Sequence, residues 1–573
     1  MSRNVENYRE DSDQEWNVQD SINSTSSNSP LFNDASRLEQ GKRDVKQTTK
    51  LTDDVDSNES SVFGQDRDRL QCTLKQRHIQ MLALIDVFGT GIFLSSGGVL
   101  ATTGPAGMLL AYAIVAIIVG MNQMALAEVA SLMPVSSATV RHLEQFIDPA
   151  WSFAFGWISV WSCMLPGQIS SSAVLISYWT DISEAAWITI IIALILATNS
   201  YNIRFYAEIE FGFAIIKIML LAGLIIISIV ITSGGGPTHE VIGFKFWHKP
   251  GPFNEYIAKG NLGKFIGFWK VLTGAVYSYG GVQSVPALAA ETENPRRTVF
   301  SACKRIFYRS MIIMLITVLC LTLIVASDDP KLTNSTGNAQ SSPFVIAVNN
   351  AKIKVVPHII NAGILTSAFS DANLSIVHGA RTMFALAVKR QAPRIFLKTN
   401  RNGLPWVGTI FFAAFTPLAY MNVSKNSANV FNWFQTLSSA NYLLGWILMS
   451  ANHIHMTRAM KVQGISRDRL PHKFKYGPQA AWISGIAAII VLITGGFKNF
   501  IPGHFQIDNF FAAYFILPFS FGLFLFWKIF KKTRYLRPHE VDLAPLFKDV
   551  EENPEPPAPK LRSWDYLKVL LWA

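Results

Sequence analysis

The chain has 573 residues, half of them hydrophobic and only 16% charged, and a chain of that size with so little polar surface does not stay in solution as a globular protein. Its formal net charge of +11 suggests nucleic acid when taken alone. The basic residues, however, cluster beside long apolar segments, where they act as orientation signals, so no nucleic-acid partner is expected and the class is an all-α polytopic membrane protein. Cys72, Cys163, Cys303 and Cys320 form no disulfide framework, and the polar N-terminal stretch contains no cleavable signal peptide.

Residues 1–74 are rich in Ser, Asn, Asp and Gln and have too few large apolar groups to offset the entropy of ordering a backbone, so they read as a disordered cytoplasmic tail. Trafficking or ubiquitin machinery is an expected partner of such a tail. Twelve apolar segments follow, at about 79–101, 106–132, 151–179, 185–200, 211–233, 265–290, 310–327, 359–388, 407–421, 430–451, 480–496 and 508–530, which is the pattern of 12 transmembrane helices. A polar, lysine-bearing tail over 531–573 closes the chain, with the acidic, proline-rich run Glu551–Pro557 expected to be unstructured. With the N-terminus inside, the inner loops carry 18 Lys and Arg residues against nine in the outer loops, which puts both termini in the cytoplasm. The sequons at Asn334 and Asn422 then fall in outer loops.

The first apolar segment, from Arg77 to Gly107, is long enough to span a bilayer, yet it holds Asp86 and Gly89-Thr90-Gly91 near its middle. Glycine withdraws helical preference, and unpaired backbone groups survive at membrane depth only inside protein or beside a wet cavity. The stretch therefore reads as a broken helix lining a binding site, the alternative being a glycine packing face for a neighbouring helix. Five segments later the sixth repeats the interruption in Ala275-Val276-Tyr277-Ser278-Tyr279-Gly280-Gly281-Val282-Gln283. A unit with an odd number of spans inverts between its copies, and matched glycine breaks in two inverted halves point to a transporter's midplane site. The expected fold has segments 1–5 and 6–10 as a 5+5 inverted repeat, with two extra helices.

Several stretches together resemble the fungal (yeast-type) amino acid permeases of the amino acid–polyamine–organocation (APC) superfamily, over residues 75–530. They are Arg77-His78-Ile79-Gln80 leading into Gly89-Thr90-Gly91, Gly104-Pro105-Ala106-Gly107, Leu132-Met133-Pro134-Val135-Ser136, Asp148-Pro149-Ala150, Glu210-Phe211 with Lys217, Glu293-Asn294-Pro295-Arg296, Asn373 with Arg381, and Ala392-Pro393-Arg394. The resemblance implies a leucine-transporter-like fold and proton-coupled amino acid uptake by alternating access, with no cofactor, no metal and no enzymatic reaction. It also implies residence in the plasma membrane, or in the endoplasmic reticulum or vacuolar membrane, among lipids.

On that resemblance the amides of Gly89, Thr90 and Gly91 are expected to face the substrate carboxylate, since half-helix ends offer unpaired donors and a favourable dipole. Carbonyls around Tyr277, Ser278, Tyr279 and Gly281 are expected to take the ammonium, with Tyr279 either gating the site or packing at an interface. The family's aromatic, Ser, aromatic, polar, Gly, any, Glu pattern is met with departures: Gly280 stands at the polar place and Gln283 at the Glu place. Lys217 is expected where sodium sits in sodium-driven relatives, paired with Asp86, Asp371 or both as a proton-coupling cluster, or as a static ion pair. Gln168, Gln283 and Asn373 are pocket or gate candidates, and Glu128 and Arg141 are either parts of an inner gate or solvated loop ends. His453-Ile454-His455 superficially suggests a metal site, but i and i+2 diverge on a helix. The competing reading is a non-transporting amino acid sensor on the same fold.

Overall fold

Long apolar runs in lipid leave the backbone no hydrogen-bond partner but itself, and the described residues are accordingly helical, with no strand among them. The structure, a computed structural model, describes residues 89–135, 137–180, 182–201, 203–237, 239–281, 295–333, 342–400, 404–424 and 427–555. Asp86, Gln283, Asn334 and the N-terminal tail lie outside the described residues.

A π-helical turn at Gly91–Ser95 leads into α1 (Ser96–Leu132), followed by α2 (Ala138–Phe146), α3 (Pro149–Cys163), α4 (Gly167–Ile176), α5 (Glu184–Tyr201) and α6 (Ile203–Thr232). Then come α7 (Gly260–Ser278), α8 (Pro295–Ile324), α9 (Pro343–Asn350), α10 (Val356–Val388), α11 (Trp406–Ala413), α12 (Ser427–Val462) and α13 (Gly477–Thr494). The chain ends in α14 (Ile507–Tyr514), α15 (Ile516–Lys531) and α16 (Ala544–Glu552). Five described helical stretches are long and apolar enough to cross a bilayer, or six if α14 and α15, bent by 46°, count as one. The remaining expected spans are interrupted or polar. Segment 3 divides into α3 and α4 beside Pro166, and the 33-residue α10 and 36-residue α12 bury Asn361, Asp371, Asn373, Asn452 and His453 along their length.

The two expected apolar segments, described from residue 89 on, are two helical stretches joined directly by a sharp corner at Gly104, whose φ of +79° suits glycine alone. The corner is held by the 250s loop: Ala106 N–H donates to Pro252 O at 2.9 Å and Asn254 N–H to Thr103 O at 3.0 Å. A Cβ on Gly104 would lie 2.9 Å from Pro252 O. The helix α8 packs along α1, α13 packs on both α12 and α1, and α10 packs against α3, α4 and α6.

The end of the chain departs from the expectation of a loose tail. Residues 532–555 strap one end of the bundle, because Val541, Leu543, Leu546 and Phe547, too few to form a span, all bury against it. Leu536 N–H donates to Ile147 O and Leu536 O accepts from His455, each at 2.9 Å, and Gln463 donates to Pro538 O and Val541 O. Of the run expected to be unstructured, residues 551–555 are described and held in place: Glu551 and Glu552 finish α16, and the Glu555 carboxylate accepts from the backbone N–H groups of Arg296 and Arg297 at 2.8 and 2.9 Å. Those two donors open α8 and have no partner within it, so a carboxylate there supplies an N-terminal cap from a distant part of the sequence. Arg296 also pairs with Asp549.

Beside the strap, burial pushes the His142 imidazole down to about 4, while its Nε2–H donates to Met133 O at 2.8 Å and resists the shift only in part. An unfolded imidazole binds its proton near 6.5, so between 6.5 and 4 the unfolded chain takes up a proton that the folded chain refuses. Detergent-solubilised protein should therefore lose thermal stability as pH falls from 6.5 toward 4, with His142→Gln flattening that slope; an equal slope in both proteins would contradict the assignment. Phe547→Ala, which empties a site 3% exposed, should cost roughly 3 kcal/mol and lower the unfolding midpoint. An unchanged midpoint would mean that the strap is not part of the cooperative fold.

Candidate functional site

The two glycine-marked stretches, at Gly89–Gly91 and Tyr277–Gly281, approach each other within the bundle. On one side Gly89 and Thr90 lead into a helical turn of the wide π type, a form concentrated at functional sites. The Ser95 and Ser96 hydroxyls donate back to the carbonyls of Gly91 and Ile92, each at 2.5 Å. On the other side α7 stops at Ser278, with Tyr279 N–H donating to Val276 O at 3.0 Å and a tight turn carrying the chain to Gly281. A Cβ on Gly91 would lie 2.8 Å from Ser278 Cα and 3.1 Å from the Tyr277 ring, so the two main chains touch only because residue 91 has no side chain.

Around this contact the sequence-predicted residues fall into place unevenly. Thr90 is fully buried; its hydroxyl donates to Gln168 Oε1 at 2.8 Å and lies 3.2 Å from the Tyr277 hydroxyl, which also accepts from Gln168 Nε2 at 3.3 Å. Thr90, Gln168 and Tyr277 thus make a closed polar triangle tying the π turn to α4 and α7. The Ser278 hydroxyl sits 3.0 Å from Tyr112 OH on α1. Tyr279 is 1% exposed, its ring 6.1 Å from that of Tyr112. A Cβ on Gly280 would overlap the Tyr442 ring of α12, which accounts for glycine at a place where the resembling family has a polar side chain.

Behind the π turn lies a buried charge pair. Lys217 Nζ on α6 donates to Asp371 Oδ1 on α10 at 2.5 Å, and the side chains are 2% and 10% exposed. The second oxygen, Asp371 Oδ2, would lie 2.7 Å from a Cβ on Gly89, so the same carboxylate reaches the broken end of the first helix. Asp86, the other expected partner, lies outside the described residues, as does Gln283.

In the sequence Glu210 stands out only as part of a motif. In the structure it is fully buried and accepts from Ser370 Oγ at 2.5 Å and Asn373 Nδ2 at 3.0 Å. Asn373 Oδ1 in turn accepts from Thr198 Oγ1 at 2.9 Å and from Asn199 Nδ2. Asn373 is therefore placed in a knot joining α5, α6 and α10 rather than on the polar triangle. The signal in the sequence is the spacing of Glu210 and Lys217, two turns apart on one helical face.

Of the two readings of Glu128, the solvated loop end is excluded, because its side chain is fully buried. Glu128 Oε1 accepts from Arg467 at 2.6 Å and Oε2 lies 3.3 Å from His453 Nε2, while Arg141 is drawn electrostatically to Glu144. Arg467 belongs to the α12–α13 loop, whose return toward α1 is invisible to a local reading. Gly477, opposite, leaves room for the cluster, since a Cβ there would overlap Glu128. His453 is thus engaged with a carboxylate, and among the described residues no group of three His, Cys, Asp or Glu could hold a metal ion.

The family model described as amino acid permease matches residues 78–540. The chain is 35% identical to the dicarboxylic amino acid permease of Saccharomyces cerevisiae, covering 85% of this chain and 81% of that protein. It is 34% identical to the proline-specific permease of Emericella nidulans (82% and 87%) and 31% identical to the basic amino-acid permease of S. cerevisiae (91% and 92%). Among solved structures it is similar to the Eremococcus coleocola manganese transporter, with a TM-score of 0.52 and 11% identity, covering 82% of this chain and 96% of the other, a likeness of fold alone.

The close approach of the two breaks has a measurable consequence. Gly91→Ala should destabilise the detergent-solubilised protein by roughly 1–3 kcal/mol, because its Cβ meets backbone that cannot rotate away. Gly98→Ala, two turns on with nothing within 4 Å, should be neutral or stabilising by up to about 1 kcal/mol through helix propensity. Equal midpoints for the two variants would show that the contact does not constrain the fold.

Proposed function

We propose that this chain, which belongs to the amino acid permease family, carries amino acids across its membrane by proton-coupled symport. The family makes it a multi-pass membrane transport protein rather than an enzyme. Beyond that, the reading is a fungal permease of 12 spans, ten of them in a 5+5 inverted repeat that alternates access around a midplane site. The observation that carries it is the meeting of the Gly89–Gly91 and Tyr277–Gly281 breaks beside a buried Lys217–Asp371 pair.

In this mechanism the π turn presents N–H groups to the substrate carboxylate, and the end of α7 presents carbonyls to the ammonium, so both grips use main-chain atoms against groups common to every amino acid. Thr90, Gln168 and Tyr277 form a polar wall that substrate hydrogen bonds can replace. A charged pair at membrane depth is expensive unless both members stay partnered. Asp371, shared between Lys217 and the Gly89 end, is the group through which a proton and the position of the first helix are linked. The inner-loop excess of Lys and Arg supports cytoplasmic termini, and the plasma membrane is the proposed home.

Uptake of labelled amino acids by a yeast strain lacking its own permeases should show accumulation against a gradient that collapses with a protonophore. Binding without flux would overturn the reading. Lys217→Met combined with Asp371→Asn, which removes both charges of the pair together, should retain facilitated exchange but lose the dependence of accumulation on external pH. Proton-driven accumulation at the wild-type level in that double variant would remove the coupling role.

A further inference from the structure

A cavity of about 380 Å³ opens between α1, α7 and α12, beside the α13–α14 connection. Its walls hold two ammonium groups, Lys270 on α7 and Lys498 in the α13–α14 connection, and no carboxylate among the described residues. Neither lysine forms an ion pair among the described residues; Lys498 rests over the Tyr256 ring at 6.0 Å. Lys270 lies two turns before Ser278, about 12 Å along the helix from the midplane site, hence toward the outer edge of an apolar half-layer about 15 Å thick. Ionisable side chains within that layer are costly and mark the path of a substrate or ion.

The rest of the lining fits the same purpose. Asn432, Gln435, Asn499 and Asn509 contribute amides, and both Gln435 Oε1 and Thr273 Oγ1 are buried there without a hydrogen-bond partner among the described residues. The Gln435 amide can turn either end toward the cavity, so with the Thr273 hydroxyl it offers unspent donor capacity to an incoming acceptor. The cavity floor is Phe431, whose ring meets that of Tyr277 edge-on at 6.3 Å, and Tyr277 belongs to the polar triangle of the site. The cavity is therefore the antechamber of that site, with an aromatic pair as the partition.

We propose that Lys270 and Lys498 make this antechamber a selectivity filter for amino acids whose side chain carries a carboxylate. The inference rests on the transport reading and deepens it. The main-chain grip lower down is blind to side-chain charge, whereas two like charges in a low-dielectric funnel concentrate anions and repel cations. Aspartate and glutamate arrive with one net negative charge, glutamine and asparagine with none, and lysine with a positive one. An acidic side chain entering here meets both ammonium groups and the Thr273–Gln435 donors before Phe431 and Tyr277 part. A basic side chain meets only repulsion.

The test compares initial uptake rates of labelled glutamate, glutamine and lysine by the wild-type protein in the permease-deficient strain, with surface amount measured. Glutamate should exceed glutamine by about tenfold or more in kcat/KM, an advantage that shrinks as ionic strength rises. Lys270→Gln should cut the glutamate-to-glutamine ratio by about tenfold, Lys270→Arg should keep it, and Lys498→Gln should lower it less because that group is further out. Wild-type protein that carries glutamine or lysine but not glutamate overturns the filter while leaving transport standing. So does a ratio unchanged in Lys270→Gln. No flux of any of the three at normal surface amount overturns the transport reading itself.

Discussion

The contact on which the site depends is that of Gly91 against Ser278, main chain to main chain, with no side chain able to come between. It is a steric constraint before it is a chemical one. Helix ends are left with unpaired N–H and C=O groups, which lipid does not tolerate, so two such ends are stable at depth only when they face each other or a polar filling. The structure supplies that filling from neighbouring elements: Gln168 from α4, Tyr112 from α1 and Asp371 from α10. Both the looseness of the helix ends and the order around them depend on the absence of two Cβ atoms, at Gly89 and Gly91.

The buried charges obey the same economy of partners. Lys217 and Asp371 neutralise each other, while Glu210 is held by the hydroxyl of Ser370 and the amide of Asn373. Removing one member of such a pair strands the other, at a cost of about 3–5 kcal/mol, whereas the complete pair adds little net stability. The arrangement therefore fixes which helices adjoin more than it strengthens their adjacency. Through it α6 and α10 are bound to each other, α5 is tied on by Thr198 and Asn199, and the whole is brought against the Gly89 end.

Away from the site the fold is closed by segments that come from distant parts of the chain. Glu128 of α1 is matched by Arg467 and His453, and the start of α8 is capped by Glu555. Asp148, which caps α3 through Ala150 N–H at 2.8 Å, also pairs with Lys528 of α15. Asn422, whose sequon lies in an expected outer loop, is 3% exposed and donates to Ser170 O at 3.4 Å. Its side chain is a packing group in this fold rather than a free acceptor for a glycan.

By itself the sequence determined the features that local chemistry enforces. Apolar runs separated by basic loops dictate a helical membrane protein, and glycines inside such runs dictate where the helices stop. The end of α7 after Ser278 was legible for that reason, as was a lysine that needs an acid, since Lys217 could not stand alone at its depth. Tertiary structure alone decided the pairings: Glu128 with Arg467 and His453, Asn373 with Glu210, Tyr442 in the space beside Gly280, and the strap whose four apolar residues are too sparse to signal burial. Spacing along a helix says which residues share a face, but which face another helix presents to it is set by packing among segments far apart in the chain, and no local pattern encodes that.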